Sequence, residues 1–592
     1  MKKGTIINGF KTSSLWLGAI VAPLIWGGIG SILFTSCIDT EVLPIDKTIE
    51  EDYWKNKAEV ELMVNGAYSK MVNSNVITRL LLWGEMRSDE LIINEQPTGT
   101  TPTALKEIQI ADITPANTFA NWASVYSVIN QCNVVLEHAE KVMSIDPSYT
   151  NGDYLAHRSQ MLALRSLCYF YLVRTFRDVP YSSVAFQNSS QDLMLPLTAP
   201  AIVLQHCIDD LKEAVDNNPL KADTYGDNNW QRVGLLHEEG ILALLADIYL
   251  WRASLTHSEE DYQACVDCCH RLTLSKQARY VKDPLDPDAS DYPLEPGNTA
   301  FAKLFVDNEI SDEVIFELQM NGTNNSNNAV RDIYYRYSRN AANGYCYASK
   351  LFSSWGTGSD YAFHTNQDYR YWMSTYDVGS STLQNFGVRK MVTSSTRAIN
   401  PTATPVAFHL SEETREYSNY FAQNWIVYRM PDVMLMEAEA LTAMASGDGD
   451  PLLDEAFALV REVNKRSLAI KTNAIVRTDY PSKEDIEKLV LEERQRELCY
   501  EGKRWWDLMR YNYRHITPAD PNKTLYELKD EGQAMPATDD AMLTLVVRRY
   551  DEGQKGIKTK MSTESQLYWP IYESEIKANS NLHQNPAYTN EL

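Results

Sequence analysis

Between Ala58 and about Arg271, apolar side chains return every three or four positions. Met161, Leu164, Cys168, Tyr171 and Leu172 form one stripe, and Ile241, Leu244, Leu245 and Ile248 another. This is the period of helices that bury one face each. Ile241–Trp251, a polar break over Thr256–Glu260, and Asp261–Leu272 read as a helix hairpin that stacks on its neighbours. A second hairpin is better punctuated: Asp432–Ala445, the run Ser446-Gly447-Asp448-Gly449-Asp450-Pro451, then Leu452–Arg466. Gly suits a helix end and Pro a helix start. A third long helix begins at Ser482, whose side chain can cap it together with Asp485. Spacing between hairpins is irregular, so a regular repeat array is not expected.

From about residue 276 to residue 425 the pattern changes to Asn, Ser, Thr, Gly and Pro with few helical stripes. Phe, Trp and Tyr supply 19 of the 105 residues from Asn321 to Trp425, about 18% against 10% for the chain. Irregular segments that combine rings with Asn and Asp offer flat apolar faces beside hydrogen-bonding groups, which is what a sugar ring requires. The competing reading is a second core that stakes down long loops. Trp355, Trp372 and Tyr335 are the candidate stacking residues, with Trp83 and Asp89 beside them if the N-terminal part lines the same face.

The start of the chain is different again. Lys2, Lys3 and Lys11 precede a nearly uncharged run, Leu15–Phe34, that closes in Leu33-Phe34-Thr35-Ser36-Cys37. A basic start, an apolar centre and small residues before a cysteine read as a lipoprotein signal peptide over residues 1–36, cut so that lipidated Cys37 becomes the first residue. About 20 apolar residues can also span a bilayer, but Gly18, Pro23, Gly27, Gly28 and Gly30 weaken a lasting helix. A diacylated cysteine holds a soluble domain on a membrane where one acyl chain is marginal. Asp39, Glu41 and Asp46 make the tether acidic.

The 592 residues carry a net charge of −24, and removing the leader with its three lysines leaves the remainder near −27. No stretch clusters Lys and Arg as phosphate binding requires, which disfavours nucleic acid and anionic lipid as partners, and no nucleic-acid partner is expected. Apart from Cys37, eight cysteines are scattered without a disulfide framework. Cys265, Cys268, Cys269 and His270 lack the order of a haem or zinc motif. His237-Glu238-Glu239-Gly240 begins like a zinc-protease helix, but Ile241 stands where the second His belongs. Asp283, Asp286, Asp288 and Asp291 are candidate calcium ligands, a solvated acidic loop being the simpler reading. No cofactor is expected.

One C-terminal string, Glu493-Arg494-Gln495-Arg496-Glu497-Leu498-Cys499-Tyr500-Glu501-Gly502-Lys503-Arg504-Trp505-Trp506-Asp507-Leu508-Met509-Arg510, closely resembles the signature of the SusD/RagB family of outer-membrane nutrient-capturing lipoproteins. The resemblance extends over nearly the whole mature chain. It includes Tyr53-Trp54, Gly66-Ala67-Tyr68, Gly84-Glu85 with Ser88-Asp89, Leu164-Arg165-Ser166, Asp178-Val179-Pro180-Tyr181, Arg429 with Asp432-Val433, Glu437-Ala438-Glu439-Ala440, Trp569-Pro570-Ile571 and Asn585-Pro586-Ala587-Tyr588. Arg177 and Ala587 stand where the family usually has Gly, and Arg177 bears on the turn before Pro180.

The resemblance implies a mainly α, tetratricopeptide-like solenoid scaffold packed with a loop-rich ligand-binding half. That gives a helical part over 37–275 and a second part over 276–592, itself loop-rich over 276–425 and helical over 426–592, all in one globule. It also implies binding without cleavage: glycan capture at the exterior of the outer membrane and delivery to a SusC-like TonB-dependent transporter. Peptides are the alternative cargo, and a surface glycoside hydrolase with paired carboxylates the alternative class. Read physically, the signature's charges suggest scaffold, with Glu493 and Glu497 reaching Arg494, Arg496 or Arg504 and Gly502 stopping the helix.

Overall fold

The computed structural model describes residues 53–591 apart from 96, 189, 227–228, 283, 285–288, 307, 323–324, 335–343, 353–359, 378–385, 391–421, 517–518 and 551–555. Residues 51–592 form one compact unit. None of its described helices is long and apolar enough to cross a membrane.

Helices stack in a continuous order. Lys57–Met71 packs on Ala123–Val142, which packs on Asn151–Phe176, then come Pro200–Asn217, Glu238–Thr256 and Glu259–Gln277. The next layer is Met430–Met444, followed by Pro451–Ser467 and Lys483–Leu498. The second hairpin of the sequence therefore docks directly on the first, although the whole loop-rich segment separates them along the chain. Local chemistry sets the starts. Asn56 with Glu59, Thr150 with Asp153, and Ser482 with Asp485 each form reciprocal capping boxes. Ser258 caps Glu259–Gln277, and Asp450 with Pro451 starts Pro451–Ser467. The break expected over 256–260 narrows to His257 and Ser258, because His257 turns the chain in the left-handed region at φ 57°.

The loop-rich segment leaves and re-enters through one strand pair. Val314–Leu318 runs antiparallel to Trp425–Arg429, and both strands are buried throughout. Within the segment, Leu91–Ile93, Cys346–Ala348, Phe386–Val388 and Thr375–Asp377 make a four-stranded antiparallel sheet in that order. An N-terminal strand is thus the edge of a sheet built by the loops. Val179–Pro180 pairs with Leu197–Thr198.

Candidate functional site

The signature string is where distant motifs meet. Helix Lys483–Leu498 ends, and the chain turns through Tyr500 at φ 66° and Gly502 at φ 72°. The amides of this turn are claimed by the Gly84-Glu85 motif: Tyr500 N donates to Glu90 Oε2 at 3.0 Å and Gly502 N to Glu85 Oε2 at 3.1 Å. A Cβ on Gly84 would lie 1.8 Å from Gly502 O, so two glycines let a helix and a turn approach closer than any side chain permits. Asp89 is fully buried and accepts from Arg504 Nε at 2.8 Å and from Gln495 Nε2 at 3.0 Å. The closing motif joins them, since Arg87 donates to the carbonyls of Gln566 and Leu567 at 2.6 Å and Trp569 N donates to Thr175 O.

Around this turn lies a buried ion network. Arg429 reaches Glu313 at 3.0 Å, Glu497 at 2.5 Å and Glu501 at 2.7 Å. Arg370 reaches Asp368 at 2.7 Å, and Glu493 and Glu497 at 2.8 Å, while Lys390 holds Glu501 at 2.6 Å. Arg466 bridges Glu313 and Glu497. Burial alone would raise the Glu497 carboxyl, yet Arg466, Arg429 and Arg370 hold it well below the usual carboxylate range. Among the pairings expected within the signature, Glu493 with Arg496 forms. Arg494 instead binds Asp432 and Asp507, and Arg504 binds Asp89. Most partners are brought by the tertiary fold, because a helix turn offers only i+3 and i+4 neighbours.

Glu85 and Glu90 are a different pair of acids. Burial first, and each other's proximity second, push Glu85 well above its ordinary range, while burial chiefly takes Glu90 to about 7. Both are wholly enclosed beneath the turn. Both accept hydrogen bonds from amides of the signature turn, so this pair of acids holds the fold together.

The aromatic segment is staked down by its own rings. Tyr334 donates from its hydroxyl to Tyr500 O at 3.0 Å. Ring contacts run from Tyr500 to Phe352 at 5.2 Å, on to Phe363 at 6.0 Å, to Tyr371 at 6.1 Å and to Trp372 at 4.6 Å. These described rings are buried and join the core of the helical part in one continuous cluster. Trp372, on helix Tyr369–Met373, belongs to it, with Nε1 donating to Asn366 O at 2.9 Å.

Three sequence candidates, Trp372 among them, are corrected by their burial. Trp83 has no exposed surface; Nε1 donates to Phe119 O at 3.0 Å and its ring meets Phe176 edge-on at 5.3 Å. It sits on the Ser74–Glu85 helix, whose last turns are buried on every side. Asp89 is the internal partner of Arg504 described above. Trp355 and Tyr335 lie outside the described residues, as do Asp283, Asp286 and Asp288. Asp291 is exposed and pairs with Lys282 at 3.0 Å. Cys265 and Cys269 face the core, and burial of Cys268 pushes its thiol up to about 12, which makes it a poor metal ligand.

Sequence reasoning missed Trp230. Among the described tryptophans it alone keeps a large part of its surface, 49%, in water. It starts the short helix Gln231–Gly234, which packs on strand Val314–Leu318. Gly234 leaves room for it: a Cβ there would lie 2.8 Å from both Trp230 Cε3 and Gln319 Cγ. Gln319 Nε2 and Asn424 Nδ2 donate to Glu317 Oε1 at 2.7 Å, and burial raises Glu317 to about 7. A flat exposed ring beside the half-buried Gln319 amide suits a hydroxylated ring. The available signal was the polar run Gly226-Asp227-Asn228-Asn229 before the tryptophan.

These elements define a helical solenoid that carries a loop-rich insertion and is sealed by a buried ion network. Known relatives have the same plan. The chain belongs to the SusD/RagB family: a model described as SusD family matches residues 312–588, and one described as "starch-binding associating with outer membrane" matches 46–226. SusD-like protein P38 of Formosa agariphila is 24% identical over 498 residues, 80% of this chain and 87% of that protein. Crystal structures have the same fold, including a SusD superfamily protein from Bacteroides vulgatus at 17% identity and TM-score 0.62 over 90% of this chain and 99% of that one. B. fragilis NanU matches at 17% identity and TM-score 0.62 over 92% and 100% of the two chains.

Proposed function

We propose that this protein is a non-catalytic lipoprotein, anchored through Cys37 to the outside of the outer membrane, that captures glycans and delivers them to a TonB-dependent transporter of the SusC type. The observation that carries this reading is the match of residues 46–226 to a starch-binding family associated with the outer membrane. The ligand contacts are Trp230 with its neighbour Gln319, together with Trp355 and Tyr335 of the ring-rich loops. Stacked rings contribute about 0.5–1.5 kcal/mol each, which gives the weak, releasable affinity that a hand-over requires.

The test is affinity electrophoresis through a panel of plant, algal and host glycans. Trp230→Ala and Trp355→Ala together are expected to abolish a retardation that the wild type shows, with the thermal midpoint unchanged. Retention equal to wild type rejects these rings. Release of sugar on prolonged incubation would make the protein a hydrolase, and binding of oligopeptides in place of glycans would change the cargo. Protease added to intact cells should digest the protein, and Cys37→Ala should leave the membrane fraction.

A further inference from the structure

Two acids hold the signature turn from below. Glu85 ends helix Ser74–Glu85, and Glu90 precedes the edge strand Leu91–Ile93; both side chains are fully buried. One oxygen of each is accounted for, since Glu85 Oε2 accepts from Gly502 N and Glu90 Oε2 from Tyr500 N. The other oxygen of each, Oε1, meets no N–H or hydroxyl among the described residues, and the two carboxyls are hydrogen-bonded to each other. An ionised carboxylate only accepts, so two of them cannot make that bond. A proton on one supplies the donor. A single proton thus satisfies both Oε1 atoms, whereas a second would find no acceptor, because each Oε2 already takes an amide.

The described cations nearby are engaged elsewhere. Arg504 is held by both oxygens of Asp89, Arg87 and Arg549 donate to backbone carbonyls, and Lys390 is taken up by Glu501 and the carbonyls of Glu497 and Cys499. The other titratable groups against the pair are Cys499 and Tyr500 of the turn and Tyr334 at the end of helix Asn328–Ile333, all kept neutral by burial. The pair also lies where the two parts of the molecule join. Glu90 O accepts from Ser349 N at 2.7 Å, next to strand Cys346–Ala348, and Tyr500 carries the Tyr334 hydrogen bond and the Phe352 ring contact of the aromatic segment. Two anions side by side here would repel with little screening, and the amides clamped to them would have to move.

We propose that Glu85 and Glu90 share one proton, with Glu85 Oε1–H donating to Glu90 Oε1, and that this hydrogen bond is a pH-sensitive latch between the helical scaffold and the loop-built sheet. Glu85 is the partner that keeps the proton: burial first, and the Glu90 charge second, push it well above its ordinary range, whereas Glu90 releases its own near 7. Loss of the shared proton in more alkaline solution leaves adjacent anions and loosens the turn and the sheet edge together. The latch does not depend on what the loops bind.

The experiment joins infrared spectroscopy to hydrogen exchange on the full chain in detergent. At about pH 8, Glu85→Gln and Glu90→Gln are each expected to remove one carboxylic C=O band, and the double variant no more than either alone, because one proton serves both acids. A double variant that removes two bands, or single variants that remove none, overturns the shared proton. Between about pH 7 and 10, after correction for intrinsic exchange, peptides covering Ser349 and Tyr500–Gly502 are expected to lose protection by roughly tenfold or more in the wild type, with helix Glu238–Thr256 unchanged. Glu85→Gln, whose amide donates to Glu90 at every pH, is expected to keep that protection across the range. An equal loss in Glu85→Gln, or no loss in the wild type, overturns the latch.

Discussion

The two sides of the signature turn handle charge in opposite ways. Under it, Arg429 alone answers three carboxylates and Glu497 three guanidinium groups, all out of water. Beside that network, Glu85 Oε1 and Glu90 Oε1 are equally hidden and have no donor outside the pair, and burial raises both carboxyls. Matched buried charge fixes one arrangement of helices, whereas buried carboxyls without a cation are driven toward their neutral form. The same contrast divides the tryptophans. Trp83 and Trp372 are packed and hydrogen-bonded within the fold, and Trp230 presents its ring to solvent.

The strongest test of this contrast is Arg429→Ala. Leaving Glu313, Glu497 and Glu501 without it is expected to destabilise the fold by about 3–5 kcal/mol, read as a lower denaturant midpoint, and a loss below 1 kcal/mol would show that the network adds little. Trp83→Ala is expected to cost roughly 3–5 kcal/mol through the cavity it leaves. Gly84→Ala comes next, at about 3 kcal/mol, because both atoms in the clash with Gly502 O belong to tightly packed backbone.

Acidity separates the two kinds of buried carboxyl. Asp432 and Glu239 are desolvated, but Lys503 and Arg494 hold the first, and Arg279 and Lys276 the second, down to about 2. A depressed carboxyl adds stability above its unfolded value near 4 and loses it as pH falls toward 2. Glu90 and Glu317, raised to about 7, act in the other direction: their contribution is full below the unfolded value near 4.3 and disappears as pH rises through 7. The denaturant midpoint should therefore peak near pH 4 to 4.5 and fall on both sides. A midpoint that keeps rising from pH 6 to 8 would contradict the raised pair. The smallest effect on stability belongs to Trp230→Ala, within about 0.5 kcal/mol, against a roughly twofold to tenfold loss of glycan affinity from the lost stacking.

Much of the helical part was legible along the chain. The stripes at 161–172 and 241–248, the Gly and Pro punctuation at 447–451 and the Ser482 cap became helices within a few residues of their expected ends. Period and capping are set by neighbours within one turn, so a linear reading finds them. The aromatic density of 321–425 was legible too, but its meaning was not. Whether a ring in an irregular segment faces core or water depends on what arrives from elsewhere, and Tyr500 and the Leu91–Ile93 edge strand arrive from outside that segment. Trp83 and Asp89 failed as surface candidates for the same reason.

By itself the sequence determined the composition of the scaffold: amphipathic helices, their caps, the acidic balance and the family motifs, each fixed by residues close together in the chain. Only the tertiary structure decided which charges meet, why Gly84 and Gly502 must both lack a side chain, and why Glu85 and Glu90 are driven toward their neutral form. Those outcomes turn on contacts between residues hundreds of positions apart, where the energy of burying a charge depends on the partner that folding brings to it.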